Sequence, residues 1–347
     1  MNRNDPTQSR FALVQEMLAT PEVLGRLDWT AAAGMAEPVR RKGGLFLTGE
    51  GSSRILPAHN AIALGRRYGL AERIECEGAR QAMEYDLPRF AVFGASNSGK
   101  TRELIELFRM LKAGGHDALY GLTATPECPL ERECKQTFVL GCGKEDAVAA
   151  TKSVVEQALF YQVLVSELAG SPALSEAEGN DWPKLLTELA EKTGSVLEAE
   201  IDPAMARRLA VAPTICWAGR NDGVAEELSL KTCEITRKKG IYCEGTYVVH
   251  GIEEVLEPQD AVVIVDPYEA EFEKYEEVLV QGVGLYVMAI APRPTPFPTI
   301  VIPAMQEMNT HLQLCAGWNL LVAAGLQLGI DLDNPVRARK VGNELIE

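Results

Sequence analysis

Groups that can bind a phosphate stand together in one short turn, Ala95-Ser96-Asn97-Ser98-Gly99. The turn follows an apolar stretch at residues 90–93 and precedes residues 101–112, whose leucines recur at helical spacing. Such small side chains let backbone N–H groups approach a bound oxyanion. The free N–H groups and the positive dipole end of a helix start favour phosphate. The sequence therefore predicts a strand, a phosphate-binding turn and an amphipathic helix.

The turn fits two motifs that bind phosphate in different ways. Residues 94–101 match the nucleotide-binding pattern G-x-x-x-x-G-K-T, with Lys100 as the phosphate lysine and Asp266 as a candidate magnesium ligand. They also match S-x-S-G-x-T, in which hydroxyl groups replace the lysine. These hydroxyl positions are Ser96, Ser98 and Thr101. An ordinary strand-to-helix turn capped by Ser98 is a third interpretation, and the turn alone does not decide among them.

Three charged residues have the spacing of an acid–base site. Glu227, Lys231 and Glu234 stand at i, i+4 and i+7, so they share one face of a predicted helix. A carboxylate can shuttle a proton, and a nearby cation can stabilise an enediolate. Spacing alone favours a solvated face with an ordinary Glu227–Lys231 pair, so the rest of the chain has to decide.

The elements that position these residues alternate between strand and helix. Predicted strands are 44–48, 73–76, 90–93, 117–123, 135–140, 214–219, 242–248, 261–265 and 284–290. Predicted helices are 8–28, 56–68, 79–85, 99–112, 148–168, 183–209 and 306–328. This alternation predicts an α/β fold with mostly parallel sheets and right-handed crossovers. Because the plan of residues 44–69 recurs at 214–240, we expect an internal duplication of about 170 residues.

Composition excludes several classes of function. A net charge of −15 argues against a general role in binding nucleic acid. No apolar run reaches transmembrane length, so we expect no membrane insertion. The 8 cysteines form no C-x-x-C pair and there are only 4 histidines, so we expect no metal site. We expect the cysteines to be free thiols of a cytoplasmic protein. No cofactor is expected either.

Several further segments, in their order along the chain, match the motifs of one known protein family. Gly49-Glu50-Gly51-Ser52-Ser53 resembles the C-G-T-S turn of SIS (sugar isomerase) domains, specifically in the isomerase half of glucosamine-6-phosphate synthase, with Glu50 replacing the cysteine. Residues 96–101 match the phosphosugar loop of these domains. Residues 143–152 resemble their G-x-E-x-x-V-A-[ST]-T-K segment, with Ala150 where serine is frequent.

The second half continues this resemblance. Residues 227–234 resemble the family's E-x-x-x-K-x-x-E helix, and His250-Gly251 resembles its H-G pair at the family's distance from Glu234. Residues 331–340 resemble its D-x-D-x-P-…-K tail, which ends here at Lys340. Two positions depart from the pattern: Ile252 replaces a proline and Arg339 replaces a small residue. The resemblance covers roughly residues 40–345 and makes the nucleotide motif a coincidence.

The resemblance implies a role for each matching residue. Glu234 would move a proton between C1 and C2, and Lys231 would stabilise the developing oxyanion. His250 would reach the active site of a neighbouring subunit and open the sugar ring, which requires a homodimer or larger assembly. Lys340 would contact the substrate carbonyl or ring oxygen. The implied substrate-binding residues are Gly51, Ser52, Ser53, Ser96, Asn97, Ser98, Thr101, Val148, Ala150 and Glu227.

The implied fold is two tandem SIS domains, each a doubly wound parallel sheet flanked by helices. We expect a helical leader at residues 1–39 and the first domain at 40–172. A linker and bridging helix would occupy 173–209, the second domain 210–330 and a tail that contributes to the active site 331–347. We expect no glutaminase domain, because about two helices precede residue 40 and no N-terminal nucleophilic cysteine is present.

The implied function is that of a phosphosugar isomerase or deaminase. Residues 98–103 look more like the S-G-N-T-[KR]-E of the deaminase and deglycase branches than the synthase's S-G-E-T. We therefore expect deamination of an amino-sugar 6-phosphate or deglycation of a fructosamine phosphate, with aldose–ketose isomerisation. A non-catalytic sugar-phosphate sensor and a nucleotide-binding protein are the alternatives. The sequence leaves the sugar, the amine and the direction of the reaction open.

Overall fold

Ten strands in the computed structural model, which describes residues 1–170 and 181–345, form two parallel five-stranded sheets. The first sheet contains β1 (Gly44–Gly49), β2 (Arg73–Gly78), β3 (Ala91–Ala95), β4 (Leu119–Thr123) and β5 (Gln136–Val139). The second contains β6 (Thr214–Gly219), β7 (Lys239–Glu244), β8 (Ala261–Val265), β9 (Tyr286–Ala291) and β10 (Thr299–Val301). The strand orders are β2-β1-β3-β4-β5 and β7-β6-β8-β9-β10, so both sheets follow one plan.

Helices follow most of the strands. Those before β6 are α1 (Pro6–Ser9), α2 (Ala12–Gly25), α3 (Trp29–Ala33), α4 (Ala36–Lys42), α5 (Ile55–Tyr68), α6 (Ala79–Ala82), α7 (Arg102–Ala113), α8 (Lys152–Leu168), α9 (Trp182–Glu198) and α10 (Pro203–Val211). Those after it are α11 (Val224–Lys231), α12 (Phe272–Tyr275) and α13 (Asn309–Leu328). Wider π-helical turns extend α11 over Thr232–Thr236 and α12 over Glu276–Val283.

The chain divides into two compact units, one around each sheet. The first-sheet unit comprises Glu22–Glu145, Ala150–Glu188 and Arg339–Glu347. The second-sheet unit comprises Met1–Pro21, Asp146–Ala149 and Leu189–Ala338.

Each sheet is built from strands that are buried on both faces. Every residue of β1, β3 and β8 is buried, as expected for parallel strands covered by helices. In the first-sheet unit the apolar face of α7 packs on this layer through Leu104 and Phe108. In the second-sheet unit, Tyr275 and Leu279 pack with the side chains of β6 and β8. The apolar patterns of the sequence therefore correspond to real core faces.

Several predicted boundaries were wrong. The helix predicted over 148–168 begins at Lys152, and the strand predicted over 242–248 spans Lys239–Glu244 and is followed by a 3₁₀ turn at Tyr247–Val249. The leader predicted as one helix over 8–28 is α2 with short helices on both sides. Residues 173–180, at the start of the linker and bridging helix predicted over 173–209, lie outside the described residues. In the described part of the chain, no helix combines the length and apolarity needed to cross a membrane.

Candidate active site

The turn between β3 and α7, residues 96–101, is called the phosphate loop below. Its polar groups stand at the carboxyl edge of the first sheet, where parallel sheets usually bind ligands. The helix begins at Arg102 with Thr101 as its extended N-cap residue, so the interpretation of Ser98 as the cap was wrong. The Ser98 hydroxyl instead accepts a hydrogen bond from the Lys100 N–H at 3.2 Å, which tightens the loop.

Hydrogen bonds hold the phosphate loop in one shape. The hydroxyls of Ser96 and Thr101 lie 2.9 Å apart across it. The Asn97 carbonyl accepts hydrogen bonds from the N–H of Ala124 at 3.1 Å and the hydroxyl of Thr123 at 3.2 Å. The loop is therefore anchored to the end of β4 and the residue that follows it, and it leaves hydroxyl and amide groups close together.

Gly99 lets the loop pass close to the next segment of the chain. Its φ is +64°, a conformation that favours glycine. A Cβ atom there would lie 2.1 Å from Sγ of Cys128. No side chain fits at this position, so the shape of the loop depends on Gly99.

The turn after β1 brings further hydroxyl groups to the same sheet edge. Gly49, the last residue of β1, lies opposite Ala95 of β3 in the parallel register. The 3₁₀ turn Gly51–Ser53 follows, with Ser52 buried and the Ser53 carbonyl held by the Gln157 side chain at 2.6 Å. The structure thus places Gly51–Ser53 and the phosphate loop at the ends of adjacent strands.

Val148 and Ala150 lie in the irregular segment before α8, where both are partly buried. Within the second-sheet unit, the Val148 N–H donates a hydrogen bond to the Asp333 carbonyl at 3.1 Å. The substrate contacts predicted for Val148 and Ala150 stay predictions.

Glu145 is a site residue that the sequence reasoning did not single out. Its fully buried carboxylate accepts hydrogen bonds from Asn97 of the phosphate loop at 3.0 Å and from the Ser153 hydroxyl at 2.7 Å. The Lys340 ammonium lies 3.4 Å away. Burial alone would raise the pKa of Glu145, but Lys340 and the hydrogen bonds outweigh it and the pKa is lowered. Its place in the G-x-E segment was the available signal.

The tail that carries Lys340 is docked on the phosphate loop. The Leu345 N–H donates to the Lys100 carbonyl at 2.9 Å, and Glu344 forms an isolated antiparallel bridge with Thr101. The Lys100 ammonium lies 2.9 Å from the Glu344 carboxylate, with both side chains nearly half exposed. Lys100 therefore pairs with the tail at the surface, and these contacts hold the tail against the phosphate loop.

Glu227, Lys231 and Glu234 form a cluster, here called the carboxylate–lysine cluster, in the second-sheet unit. The Lys231 ammonium lies 3.3 Å from Glu227 and 2.6 Å from Glu234. The side chains of Lys231 and Glu227 are 0% exposed and that of Glu234 is 21% exposed, so the solvated face that spacing favoured was wrong. Burial lowers the pKa of Lys231, but the two carboxylates outweigh it and the pKa is raised.

A change of helix type places Glu234 in this cluster. The α-helix ends at Lys231 and the π-helical turn Thr232–Thr236 carries Glu234, a device common at functional sites. The Trp217 indole N–H donates to the Thr232 hydroxyl at 2.7 Å, and Arg237 donates to the Glu234 carbonyl. Buried hydrogen bonds thus fix the wide turn, and only Glu234 of the cluster reaches solvent.

His250 lies in the second-sheet unit, in the loop that follows β7. It is exposed and follows the 3₁₀ turn Tyr247–Val249, where Val248 and Val249 are buried in the core. Its backbone N–H donates to the Tyr247 carbonyl at 3.0 Å. Over residues 1–170 and 181–345 its ring makes no hydrogen bond or ion pair, so its role as an intersubunit residue stays a prediction.

Asp266 does not support the nucleotide-binding interpretation. It follows β8 of the second sheet, whereas Lys100 follows β3 of the first. Its carboxylate lies 2.6 Å from Arg220 and 2.5 Å from Arg293, so two guanidinium groups surround it. Residues 1–170 and 181–345 contain no cluster of three His, Cys, Asp or Glu side chains that could hold a metal ion.

Comparison with known proteins gives relatives in sequence. The chain is 28% identical over 258 residues to a glutamine–fructose-6-phosphate aminotransferase (isomerizing) from Bradyrhizobium diazoefficiens. The match covers 69% of this chain and 42% of that protein, so the chain spans less than half the length of the relative. No protein-family model matches the chain.

Solved structures share the fold at low sequence identity. The C-terminal domain of glucosamine-fructose-6-phosphate aminotransferase from Francisella tularensis has a TM-score of 0.77 at 17% identity, covering 94% of this chain and 98% of that domain. Glucosamine-6-phosphate deaminase from Thermotoga maritima has a TM-score of 0.73 at 18% identity, covering 95% of this chain and 99% of the other. These matches confirm the resemblance that the motifs indicated: the homologues of this chain are the isomerase, or SIS, portions of glucosamine–fructose-6-phosphate aminotransferases.

Proposed function

We propose that the chain is an enzyme of the phosphosugar isomerase and deaminase type. Its phosphate loop and the hydroxyls of Ser52 and Ser53 bind the phosphate group of a sugar phosphate. Its carboxylate–lysine cluster transfers a proton between C1 and C2 of the open-chain sugar. We also propose that each sheet with its helices is one SIS domain, so that the chain contains two in tandem.

The observation that carries this proposal is the burial of Lys231 between two carboxylates. Burying one uncompensated charge costs several kcal/mol, and buried pairs are retained only where the geometry compensates both partners. A protein that only senses a sugar phosphate needs the phosphate loop and has no use for a buried ammonium beside a partly exposed carboxylate. Perturbed charges arranged in this way are typical of catalytic sites.

The cluster supports a balanced proton transfer. The Glu234 carboxylate removes the proton from the carbon next to the carbonyl, and the C–H electron pair forms the C=C bond of an enediolate. The carbonyl electrons move onto oxygen, where the Lys231 ammonium stabilises the negative charge. The proton of the hydroxyl on the deprotonated carbon then passes to this oxygen, and that hydroxyl oxygen becomes the new carbonyl oxygen. As this carbonyl forms, protonated Glu234 returns its proton to the former carbonyl carbon. Glu227, whose carboxylate lies 3.3 Å from the Lys231 ammonium, orients it.

The substrate class follows from the resemblance and from the named relatives. We propose an amino-sugar 6-phosphate, which the same proton transfer converts to an imine that water hydrolyses to ammonia and a ketose phosphate. A fructosamine phosphate is the second candidate, because residues 98–103 match the deglycase branch equally well. The Thermotoga maritima protein of similar fold is named a glucosamine-6-phosphate deaminase.

Further parts of the proposal concern the assembly. His250 is exposed in a loop, and we propose that it opens the sugar ring in the active site of a neighbouring subunit, so the enzyme is a homodimer or larger. Lys340 contacts the carbonyl or ring oxygen. All 8 cysteines are free thiols, which suits a reducing compartment such as the cytoplasm.

The test begins with a thermal-shift screen of hexose 6-phosphates, amino-sugar 6-phosphates and nucleotides, because a ligand that binds the folded chain raises its melting temperature. The sugar that binds is then incubated with enzyme in D₂O, and deuterium at C1 and C2 is followed by NMR. We expect incorporation by the wild type and a fall of about 10²–10⁴ in its rate in Glu234→Gln, since one positioned acid–base group contributes about that much.

Glu226→Gln provides the matched control. Glu226 lies on α11 next to Glu227, but its charge acts on Tyr242 outside the cluster, so exchange should stay within a few-fold of wild type. If the wild type bound a sugar phosphate but incorporated no deuterium, the proposed enzyme activity would be contradicted and a sugar-phosphate sensor would be favoured. Stabilisation by nucleotides alone would point to the nucleotide-binding alternative.

A further inference from the structure

The buried carboxylate of Glu145 joins three segments that are far apart in the sequence. Oε1 accepts hydrogen bonds from the Thr151 N–H at 2.9 Å, the Thr151 hydroxyl at 3.2 Å and the Ser153 N–H at 3.2 Å. Oε2 accepts from the Ser153 hydroxyl at 2.7 Å and the Asn97 amide at 3.0 Å, and the Lys340 ammonium lies 3.4 Å away. One oxygen is thus anchored at the start of α8, and the other faces the phosphate loop and the tail.

We propose that Glu145 is a positioning residue that holds Asn97 of the phosphate loop and Lys340 of the tail in one arrangement. Both side chains contact the same oxygen, Oε2, so a shift of either one is transmitted to the other through this atom. Glu145 touches no part of the proposed substrate itself. Its role in binding the sugar phosphate rests on the proposed function.

The chemistry of the pocket explains why this position needs a carboxylate. The six groups around Glu145 given above are all hydrogen-bond donors, and an ionised carboxylate is the side chain that only accepts. A glutamine there would turn its NH₂ group either toward the N–H groups of residues 151–153 or toward Asn97 and Lys340. Either orientation places donors against donors in a buried site, where an unsatisfied polar group is costly.

Hydrogen exchange measures this coupling without any ligand. The Leu345 N–H, bonded to the Lys100 carbonyl, reports how often the tail opens. We expect Lys340→Met and Glu145→Gln each to speed its exchange by about tenfold. The double variant should exchange no more than about twofold faster than the faster single variant, because both changes break the same link. Exchange equal to the product of the two single effects would overturn the proposal.

A second cycle leaves Glu145 in place, in case Glu145→Gln does not fold. Asn97→Ala and Lys340→Met alter the two groups that Oε2 joins. We expect their effects on the Leu345 exchange rate to deviate from independence by at least about threefold. Independent effects would contradict a link through Glu145.

Glu156→Gln is the matched control. Glu156 is a buried carboxylate of the same unit that accepts from the N–H groups of Gly141 and Cys142 at 2.7 and 2.8 Å. The charges of Glu145 and Glu156 act on each other, so Glu156→Gln crossed with Lys340→Met should give a coupling clearly smaller than that of Glu145 rather than none. A coupling as large as that of Glu145 would show that any buried carboxylate of this unit changes the tail, and the specific role would be lost.

Measuring the affinity for the sugar phosphate tests whether the arrangement held by Glu145 matters for binding. We expect Glu145→Gln to weaken binding by about tenfold, and Lys340→Met to weaken the wild type but not Glu145→Gln. Equal effects of Lys340→Met in both backgrounds would overturn the positioning role in binding. If the wild type binds no sugar phosphate, the proposed function fails, while the two exchange cycles still decide whether Glu145 joins loop and tail.

Discussion

At the scale of single residues, Lys231 is a fully buried cation that is paired with two carboxylates. We expect Lys231→Met to lower the free energy of unfolding by about 3 kcal/mol, because the fully buried Glu227 then loses its cation. Urea denaturation followed by circular dichroism gives this value.

An exposed pair provides the comparison for Lys231. Lys274 lies 3.2 Å from Glu277, with side chains 48% and 70% exposed, so Lys274→Met should change stability by less than about 1 kcal/mol. Similar losses in Lys231→Met and Lys274→Met would show that the buried cluster is not electrostatically coupled.

Two buried carboxylates of the first-sheet unit should respond to pH in opposite directions. The pKa of Glu145 is lowered by Lys340 and its hydrogen bonds, in spite of burial. Its ionised form therefore stabilises the fold above the ordinary pKa of about 4.5, and this contribution disappears as the pH falls through the lowered value. The pKa of Glu156 is raised by burial, so its contribution is present below 4.5 and is lost as the pH rises through the raised value.

The measurement compares wild type with Glu145→Gln and Glu156→Gln from pH 3 to pH 7, using about ten pH values in urea denaturation. The stability advantage of Glu145 over glutamine should grow with rising pH, and that of Glu156 should shrink. Parallel trends for the two residues would contradict the assigned charge environments.

Residue spacing predicted which charges meet, but it did not predict their burial. The i, i+4, i+7 pattern placed Glu227 and Glu234 around Lys231, and the structure has these contacts. That they lie inside the protein depends on the elements packed around α11, which the pattern does not contain. Glu145 was missed for the same reason, since its partners at residues 97, 151–153 and 340 meet only in the folded chain.

At the scale of the elements, the phosphate loop depends on one close approach of backbone to side chain. Left-handed backbone strain alone costs an alanine about 1 kcal/mol. Gly99→Ala should lower the free energy of unfolding by more than this, because Cys128 occupies the space for a Cβ. The melting temperature and the affinity for the sugar phosphate should both decrease in this variant.

Gly115→Ala separates strain from contact. Gly115 also has a positive φ, +84°, but no neighbouring atom of the described residues lies within 4 Å of the place that a Cβ would take. It should therefore show the backbone strain alone, with unchanged affinity. Equal destabilisation by the two alanines would mean that the contact with Cys128 is easily relieved.

Elements were predictable where a pattern is local and less so where packing decides. The run of β-prone residues at 246–249 predicted strand, yet Val248 and Val249 enter the core from a 3₁₀ turn. Residues 148–151 continue the apolar pattern of α8, but they remain irregular because the Thr151 N–H donates to Glu145. The π-helical turn after Lys231 has no sequence signature that the helical spacing could reveal.

At the scale of the whole molecule, the two sheets have the same strand order, and the internal duplication stays a prediction. The repeated plan of strand, turn and helix was visible in the sequence because parallel β–α units are local. The edge strand β10, with three residues, was not predicted, since so short a strand has little periodicity to detect.

Assembly can be tested with two inactive chains. A Glu234→Gln chain and a His250→Asn chain should each lack activity, while a mixture refolded together should regain part of it, because a hybrid dimer contains one active site with both residues intact. The measurement is turnover of the sugar phosphate by hybrids purified through two different affinity tags. Inactive purified hybrids would contradict a histidine supplied by the neighbouring subunit.

The ion pairs of Asp266 with Arg220 and Arg293 affect how many sugar phosphates each chain is expected to bind. Asp266 follows β8 as Ser96 follows β3, so the two residues occupy the same topological position in the repeated plan. The second sheet carries its own covalently attached anion there, already neutralised by Arg220 and Arg293. We therefore expect the phosphate to bind only at the edge of the first sheet, and titration calorimetry should count one sugar phosphate per chain rather than two.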